Sequence, residues 1–415
     1  LRLSATINAM KNLSKDERLT IVVLSLYTLA SVMSNTFVNV YLYTYTSDLA
    51  SMCLYTAIRI SMFPFFFTIA GKIAQRKGYS FTLVIGLVGF IAELSCVLSL
   101  NQYFGTTPSL IYLIALICGI SEGFLWLSFN SLQQYASDPT TRTSFLSEVG
   151  IYGNIANIIA PIVTSFMIDL SPSDNEGYAT IFKVVLVVYI LLAILGYRIK
   201  TRCPNKNFSV LKDLNSSKKK DPKWHFALWL TFVYGLRDSM VLMLTGLLIY
   251  DAVGSSGGLY SRFLALFAVL SILAHLFCRK YLKRSNRLLF FNVSAIFVAS
   301  ATIVLAFCSN TFGALYFGIV NAIAGSIYGN VYSIITMNII SNYAENENLT
   351  GRVIAKETYL SAGRVGGMMF AFALSLLLPS NYLIIAVTIL SLMPIVLILY
   401  ADHYYKTRDL EAKHV

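Results

Sequence analysis

The sequence has few charges and few residues of the kinds that build metal or nucleotide sites. Charged residues make up 13% of its 415 residues, against about 25% in an average soluble domain. The six cysteines show no C-x-x-C spacing and the four histidines are scattered, so we predict neither a disulfide framework nor a zinc cluster. The sequence also lacks a G-x-x-x-x-G-K-[ST] motif, which excludes an ATP-driven pump within this chain. We therefore predict no cofactor, no metal and no enzyme activity.

Hydrophobic residues, in contrast, make up 56% of the chain. A bilayer core of ~30 Å needs ~20 apolar residues per helix, and twelve segments are long enough. The predicted spans are roughly 20–46, 50–74, 80–100, 109–135, 143–169, 178–200, 225–250, 258–278, 287–308, 311–338, 352–378 and 381–401. The composition therefore predicts an all-α membrane protein with twelve transmembrane helices.

Charges between the spans predict the orientation of the chain. Every second connection, counted with its flanking residues, carries Lys or Arg, and the alternate connections carry none. Positive loops stay on the cytoplasmic side, so both termini are expected in the cytoplasm. The net charge of +12 is thereby explained as an orientation signal that can also contact anionic lipid headgroups. No nucleic-acid partner is predicted.

The longest polar stretch divides the spans six and six. We predict a cytoplasmic N-terminal segment at 1–19, a six-helix bundle at 20–200, a cytoplasmic linker at 201–224, a second bundle at 225–401 and a cytoplasmic tail at 402–415. The two halves share a weak repeat at an offset of 202 residues. The matching residues are Gly123, Trp126 and Ser131 in the fourth segment and Gly325, Tyr328 and Ser333 in the tenth. Parallel repeats of this kind characterise one large transporter architecture.

A motif between the second and third spans carries a resemblance to a known family. The major facilitator superfamily has the signature G-x-x-x-D-R-x-G-R-[RK] at this place, and residues 71–80 read GKIAQRKGYS. Gly71, Arg76 and Gly78 match, whereas Gln75 replaces the acid and Tyr79 the next basic residue. The chain thus resembles this family, and is similar to its uncharacterised members in low-GC Gram-positive bacteria. The resemblance implies two pseudo-symmetric bundles, a monomer and a cavity lined by helices one, four, seven and ten.

Six charged residues lie deep within predicted spans, where a charge costs ~2.5–3.5 kcal/mol on insertion scales. They are Arg59, Glu93, Glu122, Arg237, Asp238 and Arg364. Adjacent helical residues point about 100° apart, so Arg237 and Asp238 need different partners. We expect Asp238 to pair with Arg364, and Arg59 to pair with Glu122 or Glu93. The acids could carry protons during transport; alternatively, the pairs only hold helices together.

Two further groups are candidate site residues. The cavity helices hold polar and aromatic side chains that suit a sugar, nucleoside, peptide or lipid headgroup, or that serve only helix packing. They are Asn35, Asn39, Trp126, Asn130, Tyr234, Asn321, Tyr328 and Asn330. A second group near the inner rim suggests a cytoplasmic gate, or alternatively ordinary orientation charge. Its members are Gly71, Arg76, Gly78, Arg142, Glu148, Arg352 and Glu357. The glycine-rich stretches 363–367 and 325–329 are expected to form packing surfaces or flex points rather than phosphate loops.

The sequence therefore predicts a secondary transporter in the bacterial cell membrane, coupled to protons and moving a small polar or amphiphilic solute by alternating access. A flippase for a lipid-linked sugar is one alternative. A drug efflux antiporter is another, since small residues surround Pro161 where the antiporter signature has glycines. A non-transporting membrane sensor or assembly protein is the alternative from another class.

Overall fold

The protein is helical throughout the part of the chain that the structure, a computed structural model, describes. The described residues are 15–46, 48–136, 142–199, 214, 221–239, 241, 245–282, 286–308, 310–341, 349–378 and 382–400. The first seven helices are α1 Lys15–Thr46, α2 Leu49–Ser61, α3 Phe63–Lys77, α4 Tyr79–Leu100, α5 Leu110–Ala136, α6 Arg142–Asp169 and α7 Asp174–Tyr197. The remaining helices are α8 Pro222–Ser239, α9 Thr245–Ala252, α10 Gly257–Tyr281, α11 Arg287–Phe307, α12 Thr311–Val320, α13 Ser326–Ser341, α14 Leu349–Leu377 and α15 Tyr382–Ser391.

Ten stretches of the described residues are long and apolar enough to cross a membrane. They agree with ten of the twelve predicted spans, and they make the chain a multi-pass membrane protein. The other two predicted spans coincide with shorter pieces, namely α8 with α9 and the apolar stretch Ile384–Tyr400. The count of twelve and the cytoplasmic position of both termini stay predictions.

Two predicted spans are interrupted next to a proline. A turn at Met62 separates α2 from α3, and Pro64 occupies the first turn of α3. A turn at Leu392 likewise separates α15 from a helical stretch at 393–400, whose first turn contains Pro394. Proline lacks an N–H and is tolerated in the first turn of a helix, where that N–H would have no partner. Hydropathy alone does not report such breaks, because the apolar run continues through them.

The tenth predicted span contains a π-helical turn. Residues Asn321–Gly325 join α12 to α13 within one continuous stretch, Thr311–Thr336, that is long enough to cross a membrane. Such π turns occur mostly within α-helices and frequently at functional sites. This one supplies Asn321 and Gly325 to the site described below.

The chain contains two compact units. The first comprises residues 1–47, 65–207 and 257–269, and the second comprises 48–64, 208–256 and 270–415. The second unit thus includes α2, and the first includes the beginning of α10. The predicted bundle limits, 20–200 and 225–401, stay predictions.

Small residues set the closest helix contacts in each unit. In the first unit, a Cβ at Gly86 of α4 would lie 2.8 Å from the backbone nitrogen of Leu125 in α5. In the second unit, a Cβ at Gly235 of α8 would lie 2.5 Å from the carbonyl oxygen of Leu360 in α14. A Cβ at Gly363 would in turn collide with the backbone of α8. The predicted packing role of the glycines at 363–367 is confirmed, since small residues allow backbones to approach this closely.

Candidate functional site

A polar cavity of about 380 Å³ lies within the second unit. Helices α8, α10 and α14 contribute Tyr234, Asp238, His275, Lys356 and Arg364 to its lining, and α13 contributes Ser326, Asn330, Tyr332 and Ser333. Among the described lining residues, Leu360 is the only one with an aliphatic side chain. A lining of this kind suits a solute that forms hydrogen bonds over most of its surface.

An ion pair between Asp238 and Arg364 forms one wall of this cavity. The Nε and Nη2 atoms of Arg364 lie 2.8 and 2.7 Å from the same carboxylate oxygen, Oδ2 of Asp238. The side chains are 18% and 13% exposed, for Arg364 and Asp238 respectively. The predicted pairing is therefore confirmed. The pair satisfies two charges that would each be costly alone in this setting.

Arg237, the neighbour of Asp238, has a different partner. Its side chain is buried, and Nη2 donates a hydrogen bond of 2.8 Å to Oδ1 of Asn321 at the start of the π turn. Gly325 makes room for this arrangement, because a Cβ there would lie 2.8 Å from the same Oδ1 atom. The two adjacent charges thus face different helices, as the helical geometry requires.

Four aromatic rings stack beside the ion pair. The ring centroid of Tyr234 lies 3.9 Å from that of Tyr332 with planes 8° apart, and 5.5 Å from that of Tyr328. Tyr328 stacks in turn on Phe291, at 4.9 Å. The Tyr332 hydroxyl donates to Oγ1 of Thr231. The stack fixes the position of Tyr234, whose own hydroxyl has no hydrogen-bond partner among the described residues.

Two titratable residues of the cavity were not among the predicted site residues. His275 of α10 lines the cavity, and its Nδ1 lies 2.9 Å from the carbonyl oxygen of Ser271. Lys356 of α14 also lines it, with Nζ 3.2 Å from Oε1 of Glu357. The signal in the sequence was that both are titratable residues inside predicted spans. Which side of its helix each one occupies depends on tertiary packing.

The first unit contains the two other predicted acids of the interior. Glu93 of α4 is 1% exposed and Glu122 of α5 is 4% exposed. Both interact electrostatically with Tyr189 of α7, whose hydroxyl lies 3.0 Å from Oγ of Ser34. A buried acid in such surroundings is either neutral or charge-compensated. The predicted pairing of Arg59 with one of these acids stays a prediction, because Arg59 belongs to the second unit.

The predicted cavity residues of the first half have varied surroundings. Trp126 is partly exposed and packs edge-on against Tyr27, at a centroid distance of 5.9 Å. Asn39 and Asn130 are half-buried. The side chain of Asn35 lies outside the described part of the structure. Their role in solute binding stays a prediction.

One predicted gate residue, Arg352, has its partners at the start of α8. Arg352 pairs with Asp221 at an N–O distance of 3.1 Å and lies over the ring of Trp224. Asp221 also accepts a hydrogen bond from the Trp224 backbone N–H at the start of α8. Asp221 was not among the predicted gate residues, although an acid just before Pro222 is typical of a helix start.

The remaining gate residues lie near the signature motif and in α6. Gly78 precedes α4 with φ 83°, a conformation that favours glycine, while Arg76 is exposed and Gly71 is buried. Glu148 is buried, at 2% exposure. The side chain of Arg142 lies outside the described residues. The gate itself stays a prediction.

Comparison with known proteins identifies the family of this multi-pass helical protein. The sequence matches the Major Facilitator Superfamily over residues 19–368. The chain belongs to this superfamily, whose architecture is that of secondary transporters. It is 27% identical to the uncharacterised protein YqgE of Bacillus subtilis (strain 168) over 342 residues, covering 82% of this chain and 78% of that protein. The predicted similarity to uncharacterised family members of low-GC Gram-positive bacteria is confirmed.

Solved structures share the fold at low sequence identity. The nucleoside transporter NupG aligns with a TM-score of 0.66 and 12% identity, over 94% of this chain and 99% of NupG. The E. coli Fucose:proton symporter FucP aligns with a TM-score of 0.62 and 14% identity, over 94% of this chain and 99% of FucP. At these identities the likenesses concern the fold alone.

Proposed function

We propose that the protein is a secondary active transporter of the bacterial cell membrane that moves a small polar solute by alternating access, coupled to protons. The observation that supports this most strongly is the Asp238–Arg364 ion pair in the wall of a polar cavity. An ionisable residue inside a membrane is costly and is by default a functional-site hypothesis. FucP, described as a fucose:proton symporter, supports proton coupling by analogy only, because its likeness to this chain is one of fold.

The coupling acid in this proposal is Asp238. While Arg364 donates to Oδ2, the carboxylate is stabilised in its charged form. A change in the surroundings of Arg364 that lengthens this contact removes the stabilisation, and Asp238 then takes up a proton. Return of Arg364 releases the proton. Glu122 and Glu93 are the second candidate proton carriers, because they are buried acids deep within α5 and α4 of the first unit.

Uptake into proteoliposomes under an imposed pH gradient tests the proposal. A mixture of radiolabelled polar solutes is offered to the wild type, Asp238→Asn, Glu122→Gln and the control Glu176→Gln, whose acid lies in an exposed first helical turn. We expect Asp238→Asn to abolish gradient-driven uptake and the control to retain it. Unchanged gradient-driven uptake in both Asp238→Asn and Glu122→Gln would refute the coupling role.

The alternatives make different demands on the cavity. A flippase for a lipid-linked sugar and a drug efflux antiporter both need a large apolar wall. The described lining of the cavity has Leu360 as its only aliphatic side chain, which favours a polar solute. A membrane sensor would bind its ligand without net movement. The same proteoliposomes distinguish it, because such a protein gives binding but no accumulation.

A further inference from the structure

The charges around the cavity compensate one another in pairs. Asp238 pairs with Arg364, and Lys356 pairs with Glu357, the latter with an N–O distance of 3.2 Å. Arg237 points elsewhere, about 100° round α8 from Asp238, where Asn321 accepts its hydrogen bond. Among the described residues, the lining therefore presents no unpaired full charge to a solute. A net anion or cation would have to break one of these pairs to gain a counter-charge.

Several polar atoms of the lining have no partner among the described residues. Both bonds of Arg364 to Asp238 use Oδ2, which leaves Oδ1 of Asp238 as an acceptor and Nη1 of Arg364 as a donor. The Tyr234 hydroxyl can both donate and accept, and so can the side-chain amide of Asn330, which also contacts the Cys278 thiol. With Nδ1 of His275 donating to the Ser271 carbonyl, Nε2 is a further acceptor. The lining of one small cavity thus offers both donors and acceptors.

A hydroxyl group donates one hydrogen bond and accepts others, so it matches a surface that offers both donors and acceptors. A carboxylate or phosphate only accepts and would leave Oδ1 of Asp238 and Nε2 of His275 opposite lone pairs. An ammonium group only donates and would meet Nη1 of Arg364. Adjacent hydroxyl groups on one ring can bridge Oδ1 of Asp238 and Nη1 of Arg364 together. Sugars and the ribose of nucleosides share this chemistry.

From this geometry we infer that the cavity of the second unit binds a neutral solute with adjacent hydroxyl groups, through Asp238, Arg364 and Asn330. The inference rests on the proposed transport function and names its solute class. The cavity of about 380 Å³ is at the small end of the ~300–1,000 Å³ range of ligand pockets. It therefore suits one or two rings rather than a long acyl chain.

Equilibrium binding to the purified, full-length protein in detergent tests the inference without requiring transport. The probes are glucose, ribose and uridine as neutral hydroxylated solutes, succinate as an anion and tetraphenylphosphonium as a lipophilic cation. A ligand that binds only the folded protein raises its thermal unfolding temperature. Binding of glucose or ribose identifies a free sugar as the source of the hydroxyl groups, whereas binding of uridine alone identifies a nucleoside.

Three variants locate the binding site. Asp238→Asn is expected to weaken binding of the active probe by about tenfold or more, since hydrogen bonds to charged groups are the stronger ones. Asn330→Ala is expected to weaken it by about two- to tenfold, as for a neutral hydrogen bond. If Asp238→Asn does not fold, Asn330→Ala alone tests whether the solute binds in this cavity. Asn286→Ala, outside the cavity with its amide bonded to the Tyr281 carbonyl, is expected to bind like the wild type.

Preference for succinate or tetraphenylphosphonium would overturn the inference. So would the absence of stabilisation by all three neutral probes up to about 10 mM, which is tenfold above the usual range of substrate affinities. Wild-type affinity in both cavity variants would also overturn it. Neutral-probe binding without proteoliposome uptake would leave the solute class intact and refute transport. Uptake of anions would support transport and refute the proposed solute class.

Discussion

Removal of either member of the Asp238–Arg364 pair should destabilise the protein far more than removal of an exposed pair. Breaking a fully buried pair costs about 3–5 kcal/mol because one charge stays buried alone. The side chains here are 18% and 13% exposed, so the lower limit of about 3 kcal/mol applies. For a unit of about 150–250 residues this corresponds to a fall in Tm of ~6–12 °C.

Each single variant leaves one charge of the pair without its partner. In Arg364→Gln, the Asp238 carboxylate loses its counter-charge. In Asp238→Asn, the Arg364 guanidinium loses its counter-charge. The double variant, Asp238→Asn with Arg364→Gln, removes both charges. It should recover most of the stability that either single variant loses.

Thermal unfolding in detergent, followed with a thiol-reactive fluorophore, measures these differences. Cys53 and Cys118 are buried, with no exposed surface, so the dye reports their exposure on unfolding. Asp169→Asn is the matched control, because it breaks the Arg262–Asp169 pair, whose side chains are 66% and 43% exposed. An exposed pair contributes about 0–1 kcal/mol. The reasoning is wrong if Arg364→Gln and Asp169→Asn lower Tm equally, or if the double variant is no more stable than the singles.

Two further predictions concern packing and acid stability. Gly235→Ala should destabilise by about 1–3 kcal/mol through collision with the Leu360 carbonyl oxygen, while Gly105→Ala, with open space around it, should change Tm little in the same assay. Partial burial raises the pKa of Asp48, but hydrogen bonds, chiefly from the Ser51 hydroxyl and N–H, outweigh it and lower the pKa below its usual value. Asp48 therefore adds stability above its unfolded pKa that is lost as the pH falls through its folded pKa. Asp48→Ala should lower Tm at neutral pH and flatten its fall in acid; an unchanged acid profile would contradict this.

Hydropathy predicted most of the fold because the bilayer imposes length and polarity on every span. Eight of the helices begin and end close to the predicted limits, α4 at Tyr79–Leu100 against 80–100 being one example. The breaks at Met62 and Leu392 were missed because they need no polar residue. They arise from the prolines that follow, whose effect on the backbone is independent of hydrophobicity.

The candidate site was only partly predictable, for a different reason. Equal depth in the bilayer was enough to pair Asp238 with Arg364, because an unpaired charge there is costly. Depth says nothing about rotation, so His275 and Lys356 could not be assigned to the cavity. Arg352 was predicted to belong to a cytoplasmic gate, but its ion pair with Asp221, at the end of the predicted linker, was not predicted. A comparison of depths within spans cannot predict a partner, such as Asp221, that lies in a loop.

The rotation of α8 about its axis, which its packing contacts determine, decides which of its side chains face the cavity. Gly235 and Asp238 are three residues apart and therefore share a face, which contacts α14 through the Leu360 carbonyl and through Arg364. Arg237 lies about 200° from Gly235, and its bond to Asn321 ties the other side of α8 to the π turn. With both sides held, Asp238 has one orientation, towards the cavity. A change in the contact between α8 and α14 would therefore alter the Asp238–Arg364 distance directly, which is the coupling that the proposed proton cycle needs.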